Sequence, residues 1–357
     1  MKNLLFRRYI VRELFGYADF ILGLFIAKKT YKEPKKILIS NIAHMGDFVV
    51  SIPAINVIIN KFPHAEVGIL CSEESIEIAR GIVKESNLYV YRHWKLNRDK
   101  SSLIKKFIIY LHDVYYLTGI LKSNNYDLGI DLYPYYPNSM FLLSLAKLRF
   151  RLGFASSGLS NLCSISYNID LPLNKHITEY QKNLLKYFFN KCLNFDGDWI
   201  IQKYFQNWDI SKKNIVKFKN YFVVQIGAGT VEKRWPSKYW GELINSIDDK
   251  VIIVGKGNQD LSYYFEIEKT INKKDNIVNM INKLCFRDLV NLISKSNCVI
   301  AGDSLTTHIA YGLDIPQICI LGNENNPVWI NDQLTKIIKP NVGDILNLIK
   351  GFKCLST

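Results

Sequence analysis

The sequence predicts an α/β protein built as two parallel-sheet domains. Three observations carry this. A β-loop-α-β opening stands at 36–71, and a second begins at 221. Short apolar strands alternate with helically spaced segments along most of the chain, the pattern of a parallel sheet. The strands also end in polar or glycine-containing loops, where open α/β sheets bind ligands. The 357 residues suffice for two cores. A hydrophobic fraction of 48% excludes a mostly disordered chain, and twenty glycines with ten prolines fit no fibrous pattern. No internal repeat stands out, which argues against a solenoid.

In the first domain, Lys36–Asn41 (KILISN) reads as a short strand and 42–47 as a polar loop. Phe48 to Phe62 has apolar positions at helical spacing, with Pro53 near its start, and Pro63 ends it. Glu66–Cys71, Leu88 to Tyr91, Tyr126 to Leu132 and Phe150–Phe154 read as further strands. The basic, aromatic stretch from Arg92 to Leu121 separates the third from the fourth and either lines a groove or covers the sheet. Tyr180 to Phe189 is helical, and 194–220 is polar with scattered aromatics.

The second domain opens with a strand at Tyr221 to Ile226 and a basic glycine-containing loop at 227–235. A helix then starts near Pro236, which suits a first helical turn. Lys250–Val254 is a strand ending in Gly255 and Gly257. Phe286 to Lys295 is a helix, Cys298 to Ala301 a strand, Thr306 to Gly312 a helix and Pro316 to Leu321 a strand. Ile345 to Phe352 reads as a helix expected to return and pack on the first domain. The expected division is 1–34, 35–210 and 211–357.

Lys and Arg number 46 against 32 Asp and Glu, a net charge of +14. Such a balance favours an anionic partner: nucleic acid, a phosphorylated molecule or an anionic membrane face. No nucleic-acid motif is present, so no nucleic-acid partner is expected. Seven cysteines contain no CxxC pair, which argues for a reducing compartment, and no cluster has metal-ligand spacing. Residues 1–35 hold eight basic and three acidic residues around an apolar run, 15–27, too short to span a bilayer. This basic amphipathic extension either rests on a membrane surface or packs on its own domain.

Four loops have the composition for chemistry. In NIAHMGD (41–47), Asp47 either caps the following helix or acts in catalysis, and His44 reads as an ordinary loop residue. In GAGTVEKRW (227–235), two glycines, Thr230, Lys233 and Arg234 form either a phosphate cradle or a solvated basic turn. In AGDSLTTH (301–308), Asp303 and Ser304 either cap the helix or, with Thr306, Thr307 and the N–H groups, hold a diphosphate; His308 reads as structural. LGNENNPVW (321–329) suits contact with a base or sugar. The loops match neither the Walker pattern nor the dinucleotide fingerprint. Without a GxSxG elbow, Ser304, His308 and Asp47 do not read as a hydrolase triad.

At these loops the chain resembles the lipopolysaccharide heptosyltransferases, glycosyltransferase family 9, over about residues 36–340. The resemblance is carried by Met45-Gly46-Asp47 with Pro53, by Lys233-Arg234-Trp235-Pro236, and by Gly302-Asp303-Ser304 with His308, Ala310, Pro316 and Leu321-Gly322. It implies two facing Rossmann-like domains of the GT-B type, the first binding acceptor and the second a nucleotide sugar. It implies inverting, metal-independent transfer of a heptose from ADP-heptose to a lipopolysaccharide core acceptor, with no cofactor. Asp47 would be the general base, and Lys233 would stabilise the departing diphosphate with help from Arg234 and Thr230. The turn from Asp303 to Thr307 would bind the diphosphate and donor sugar, and Asp260, in a polar turn after Gly257, would approach the adenosine ribose. The implied partners are a nucleotide sugar, a lipid-linked saccharide and the inner-membrane surface. The implied location is cytoplasmic, peripheral on that membrane's inner face.

The sequence also departs from the family. Leu305-Thr306 stands where the family often has Gly-Pro or Gly-Leu, which leaves the donor open to another nucleotide sugar, for O-antigen or capsule synthesis. An epimerase of similar form and a non-catalytic membrane-surface binding protein are the remaining alternatives.

Overall fold

The computed structural model describes residues 30–135, 137–155, 159–169, 173, 175–193, 204–205, 215–228, 234–272, 274–321 and 335–355, with residues 17, 19–21, 23 and 24. The chain divides into two compact units, Met1–Gln202 and Lys203–Thr357.

The first unit is built on β1 (Lys36–Asn41), α1 (Met45–Lys61), β2 (Glu66–Cys71), β3 (Leu88–Val90), α2 (Leu103–Asn124), β4 (Leu128–Asp131), α3 (Met140–Leu145), β5 (Phe150–Phe154), β6 (Ile165–Tyr167) and α4 (Ile177–Leu193). Its six strands run in the order β3-β2-β1-β4-β5-β6, and every pair is parallel. Strands covered on both faces can be apolar throughout. Accordingly, Ile37, Leu38 and Ile39 of β1 are fully buried although they are consecutive.

The second unit contains β7 (Tyr221–Gln225), α5 (Ser237–Ser246), β8 (Lys250–Val254), α6 (Asn258–Glu268), β9 (Ile277–Asn279), α7 (Phe286–Ser294), β10 (Cys298–Gly302), α8 (Leu305–Gly312), β11 (Gln317–Leu321), β12 (Thr335–Ile338) and α9 (Val342–Leu355). Its order, β12-β11-β10-β7-β8-β9, is again wholly parallel. Counted from its own first strand, this is the same winding as the first unit, the doubly wound Rossmann order. The fold is thus α/β with two parallel sheets, as the alternation of strands and helices predicts.

Several local expectations need correction. The loop after β1 is shorter than predicted, because α1 starts at Met45 and takes in Gly46 and Asp47. Pro53 therefore lies in the helix interior rather than near its start. Asp260 lies in the first turn of α6, not in a turn of its own. The polar composition of NQDLSYYFEIE hides that helix, yet Tyr263, Tyr264 and Ile267 give it a buried face. Strands β6, β9 and β12 are also unanticipated, being only three or four residues long. An alternation that short has no periodicity to detect.

Both ends of the chain are informative. Residues 17, 19–21, 23 and 24 have helical backbone. Asp19 is buried and accepts from the Asn161 N–H and the Ser160 hydroxyl, both at 3.2 Å. Burial pushes its carboxyl above the usual range. Tyr17, Phe20, Ile21 and Leu24, at one-face helical spacing, are exposed. One face of the extension therefore packs on its own unit, while the other carries exposed apolar groups. The C-terminal helix α9, expected to return to the first domain, buries Ile345 and Ile349 in the second unit's core with Trp240 and Leu243. The six described cysteines are free thiols.

Candidate active site

In each unit the strand order reverses between two central strands, and ligands of open α/β sheets bind beyond the carboxyl ends at that point. In the first unit these strands are β1 and β4, with Ser40 level with Asp131. Asp47 follows β1. Its Oδ2 accepts from the His44 N–H at 3.0 Å, and the His44 side chain in return accepts from the Asp47 N–H. This reciprocal capping box satisfies two helix-end donors and orients the carboxylate. The imidazole of His44 also lies 3.6 Å from Glu74.

A buried polar network supports Asp47 from below. The Asn41 amide donates to the Asp47 carbonyl (3.1 Å) and to Ser51 Oγ (2.7 Å), and Ser51 donates to the same carbonyl (2.9 Å). Gln181, on α4, donates to Ser51 Oγ (2.7 Å) and to the Leu132 carbonyl (3.0 Å). The network ties the first turn of α1 to the end of β4.

Beyond β4 the chain reads Tyr133-Pro134-Tyr135. Burial raises the Tyr133 hydroxyl above its ordinary range, and the Asp47 charge adds to the effect. Tyr135 is raised by burial, Tyr180 and Asp47. The two tyrosine rings meet edge-on at 5.6 Å. This half of the site escapes a reading of the sequence, because only the sheet order brings the loop after β4 beside the loop after β1. The available signal is an acidic residue ending an apolar strand, followed by two tyrosines.

Asp131 anchors that loop. It accepts from the Tyr133 N–H (2.9 Å), the Ser139 N–H (2.7 Å) and the Ser139 hydroxyl (2.6 Å), fully inside the protein. Burial outweighs these donors and raises its carboxyl from an ordinary 3.8 to about 6. An unfolded Asp131 loses its proton near 3.8, the folded one only near 6, so between these values the folded state holds more protons. Stability should therefore fall as pH rises through that window. At about 1.36 kcal/mol per unit, wild type should lose about 3 kcal/mol relative to Asp131→Asn between pH 3 and 7. Chemical denaturation at several pH values checks this, and a difference that stays flat rejects it.

In the second unit the reversal lies between β7 and β10, with Gln225 level with Ala301. Ser304 caps α8: its Oγ accepts from the Thr307 N–H, and the Thr307 hydroxyl donates to the Ser304 carbonyl at 2.7 Å. Thr306 donates to Gln225 Oε1 at 3.0 Å and lies 3.0 Å from Ser304 Oγ. Both threonines are buried and their hydroxyls are engaged, Thr307 within the turn and Thr306 with Gln225. What the turn offers an anion is the N–H pair of Leu305 and Thr306, which helix geometry leaves without intrahelical acceptors. Asp303 lies 3.8 Å from His308, whose imidazole is pushed towards neutrality by burial and drawn back by Asp303.

Arg234 and Asp260 come together. The guanidinium lies 5.0 Å over the Tyr263 ring and 4.0 Å from the Asp260 carboxylate. Beside Arg234 a cavity of about 330 Å³ opens, lined by Trp235, Tyr239, Leu321, Lys339 and Asn341. Asp260 accepts from the Lys256 N–H at 3.1 Å, and burial raises its carboxyl more than this bond and Arg234 lower it. A Cβ on Gly227 would stand 2.1 Å from Asp260 Oδ1. Gly227 is therefore needed for close approach, and Gly227→Ala must displace the carboxylate. That should cost about 1–3 kcal/mol, read as a lower denaturation midpoint, with weaker nucleotide binding. Thr230, Lys233 and the loop at 322–329 lie outside the described residues.

Known proteins share this organisation. Lipopolysaccharide heptosyltransferase 3 of Escherichia coli K12 is 23% identical over 296 residues, covering 80% of this chain and 81% of that protein. The structure of E. coli ADP-heptose lipopolysaccharide heptosyltransferase II superposes with a TM-score of 0.69 at 15% identity, over 90% of this chain and 99% of that one. An E. coli heptosyltransferase solved with ADP-2-deoxy-2-fluoro heptose gives 0.64 at 17% identity, over 90% and 100%. At such identities the structural likeness establishes the fold. The family model described as glycosyltransferase family 9 (heptosyltransferase) matches residues 114–347, nearly two thirds of the chain. With both sheets wound alike and this match spanning parts of both units, the chain belongs to glycosyltransferase family 9, the heptosyltransferases.

Proposed function

We propose that the protein transfers a heptose from ADP-heptose to a lipopolysaccharide core acceptor, with inversion at the anomeric carbon and without a required metal. Family membership carries this reading. In it, Asp47 takes the proton from the acceptor hydroxyl as the new glycosidic bond forms and the bond to the diphosphate breaks. Its support is its position at the β1–β4 reversal, beside Tyr133 and Tyr135, in an orientation held by the capping box. Lys233 stabilises the charge gathering on the leaving diphosphate, and Thr230 assists it. The Leu305 and Thr306 N–H groups, with Ser304, receive the phosphates; Asp303 and Thr307 hold the turn that presents them. Arg234 contributes positive charge, and Asp260 orients Arg234 as well as approaching the ribose. The acceptor is a lipid-linked saccharide at the inner face of the inner membrane.

The departure at Leu305-Thr306 favours a second reading, a transferase of the same family using another nucleotide sugar for O-antigen or capsule. Incubating the purified protein with a panel of nucleotide sugars and a truncated core acceptor separates the two. Release of ADP from ADP-heptose, dependent on acceptor, is expected. Acceptor-dependent release from another donor selects the second reading, and no release from any donor leaves a binding protein.

A further inference from the structure

Helix α2 covers the first unit's sheet with one face only. Asp113, Leu117 and Leu121 are buried, and Arg92 pairs with Asp113 at 2.8 Å. The outer face of its first half is also apolar. Leu103, Ile104, Phe107, Ile108, Leu111 and Tyr115 are exposed, Ile104 at 76% and Tyr115 at 84%. At about 100° per residue these six side chains share an arc of about 140°. Lys105 and Lys106 fall on opposite flanks of that arc. An exposed apolar stripe of this length on a folded domain marks an interaction surface.

We propose that this stripe is a docking surface for an anionic phospholipid bilayer. Charge complementarity selects the occupant. Between Lys95 and Lys106 stand five cations, Lys95, Arg98, Lys100, Lys105 and Lys106, against the single acid Asp99. Trp94, whose ring meets Phe107 edge-on at 6.2 Å, places an amphipathic aromatic at the same end. Apolar side chains flanked by lysines, with aromatics at the margin, describe a helix lying in the headgroup region. The alternative, a second copy of this chain, is poorly matched. The acids at this face are the exposed Asp99 and the buried, paired Asp113, so an isologous contact would set five cations against one exposed acid. Among the described residues no helix is long and apolar enough to cross a membrane, so α2 lies along the surface.

The test uses the full chain and co-sedimentation with phosphatidylglycerol–phosphatidylethanolamine vesicles, and with phosphatidylcholine vesicles as the neutral control. Wild type is expected to bind the anionic vesicles and largely ignore the neutral ones. Ile104→Ser with Ile108→Ser should weaken partitioning by about tenfold, and Lys105→Glu by about fivefold. Ile104, Ile108 and Lys105 are exposed, so circular-dichroism melting should be unchanged. The double serine variant binding as tightly as wild type overturns the proposal, as does equal binding to both vesicle types. A wild-type dimer that the serine variant converts to monomer assigns the stripe to a second copy instead. The measurement requires no transfer activity, so its failure leaves the proposed reaction untouched.

Discussion

Asp47→Asn should lower turnover by roughly 10²- to 10⁴-fold, the usual contribution of a general base. Donor affinity should stay within about twofold of wild type, because the change removes one ionisable group and almost no volume. The substitution is chosen for its silence elsewhere. The asparagine carbonyl oxygen can still accept from the His44 N–H, so the cap that starts α1 persists. The Asn41–Ser51–Gln181 network contacts the Asp47 backbone carbonyl, which the change leaves alone. An unchanged melting temperature with lost turnover is therefore the expected pair of results. Turnover within tenfold of wild type rejects Asp47 as the base. Lost donor binding with retained turnover reassigns it to the donor side.

Lys233→Ala should reduce kcat by roughly 10²- to 10³-fold and also weaken binding of the nucleoside diphosphate product. A leaving diphosphate gathers negative charge in the transition state, and a fixed cation beside it contributes most when that charge is largest. Product affinity, read by calorimetry, should fall less than turnover. Lys233→Arg should restore product binding better than rate, since a planar guanidinium supplies charge with different geometry. The neighbouring Arg234 is held over Tyr263 beside Asp260, a setting in which a cation is positioned rather than mobile. If Lys233→Ala leaves both rate and product affinity intact, leaving-group stabilisation belongs to another residue.

Particular residues show how far the sequence reached. The strands KILISN, EVGILC and KVIIV stand where their apolar runs predict, because a parallel strand buried on both faces needs no alternation to be recognised. Helix α6 is hidden because its eleven residues mix polar and apolar side chains without a clear stripe; only packing identifies Tyr263, Tyr264 and Ile267 as its inner face. The loop at 41–47 is legible as a polar, glycine-containing segment after a strand, but its division between loop and helix is not. Asp47 closes a capping box with His44, and a histidine is a weak signal for a helix cap. The Thr306 and Thr307 hydroxyls looked equally available in sequence, while in the fold one closes the cap and the other reaches Gln225.

By itself the sequence determined the α/β class and the polar loops at the strand ends, and its motifs carried the resemblance to the family. The class and the loops follow from local composition and order along the chain, the resemblance from particular motifs within those loops. Only the tertiary structure decided which loops become neighbours. The 3-2-1-4-5-6 winding sets β4 beside β1, and with it Asp131, Tyr133 and Tyr135 near Asp47, across more than eighty residues of chain. It likewise sets the end of β10 beside that of β7, joining Thr306 to Gln225. The helical period places five apolar side chains and a tyrosine on one arc of α2, but only burial of the opposite face shows which arc remains outside. Strand order and helix orientation are set by long-range packing of buried surfaces, and that information is not contained in any one segment.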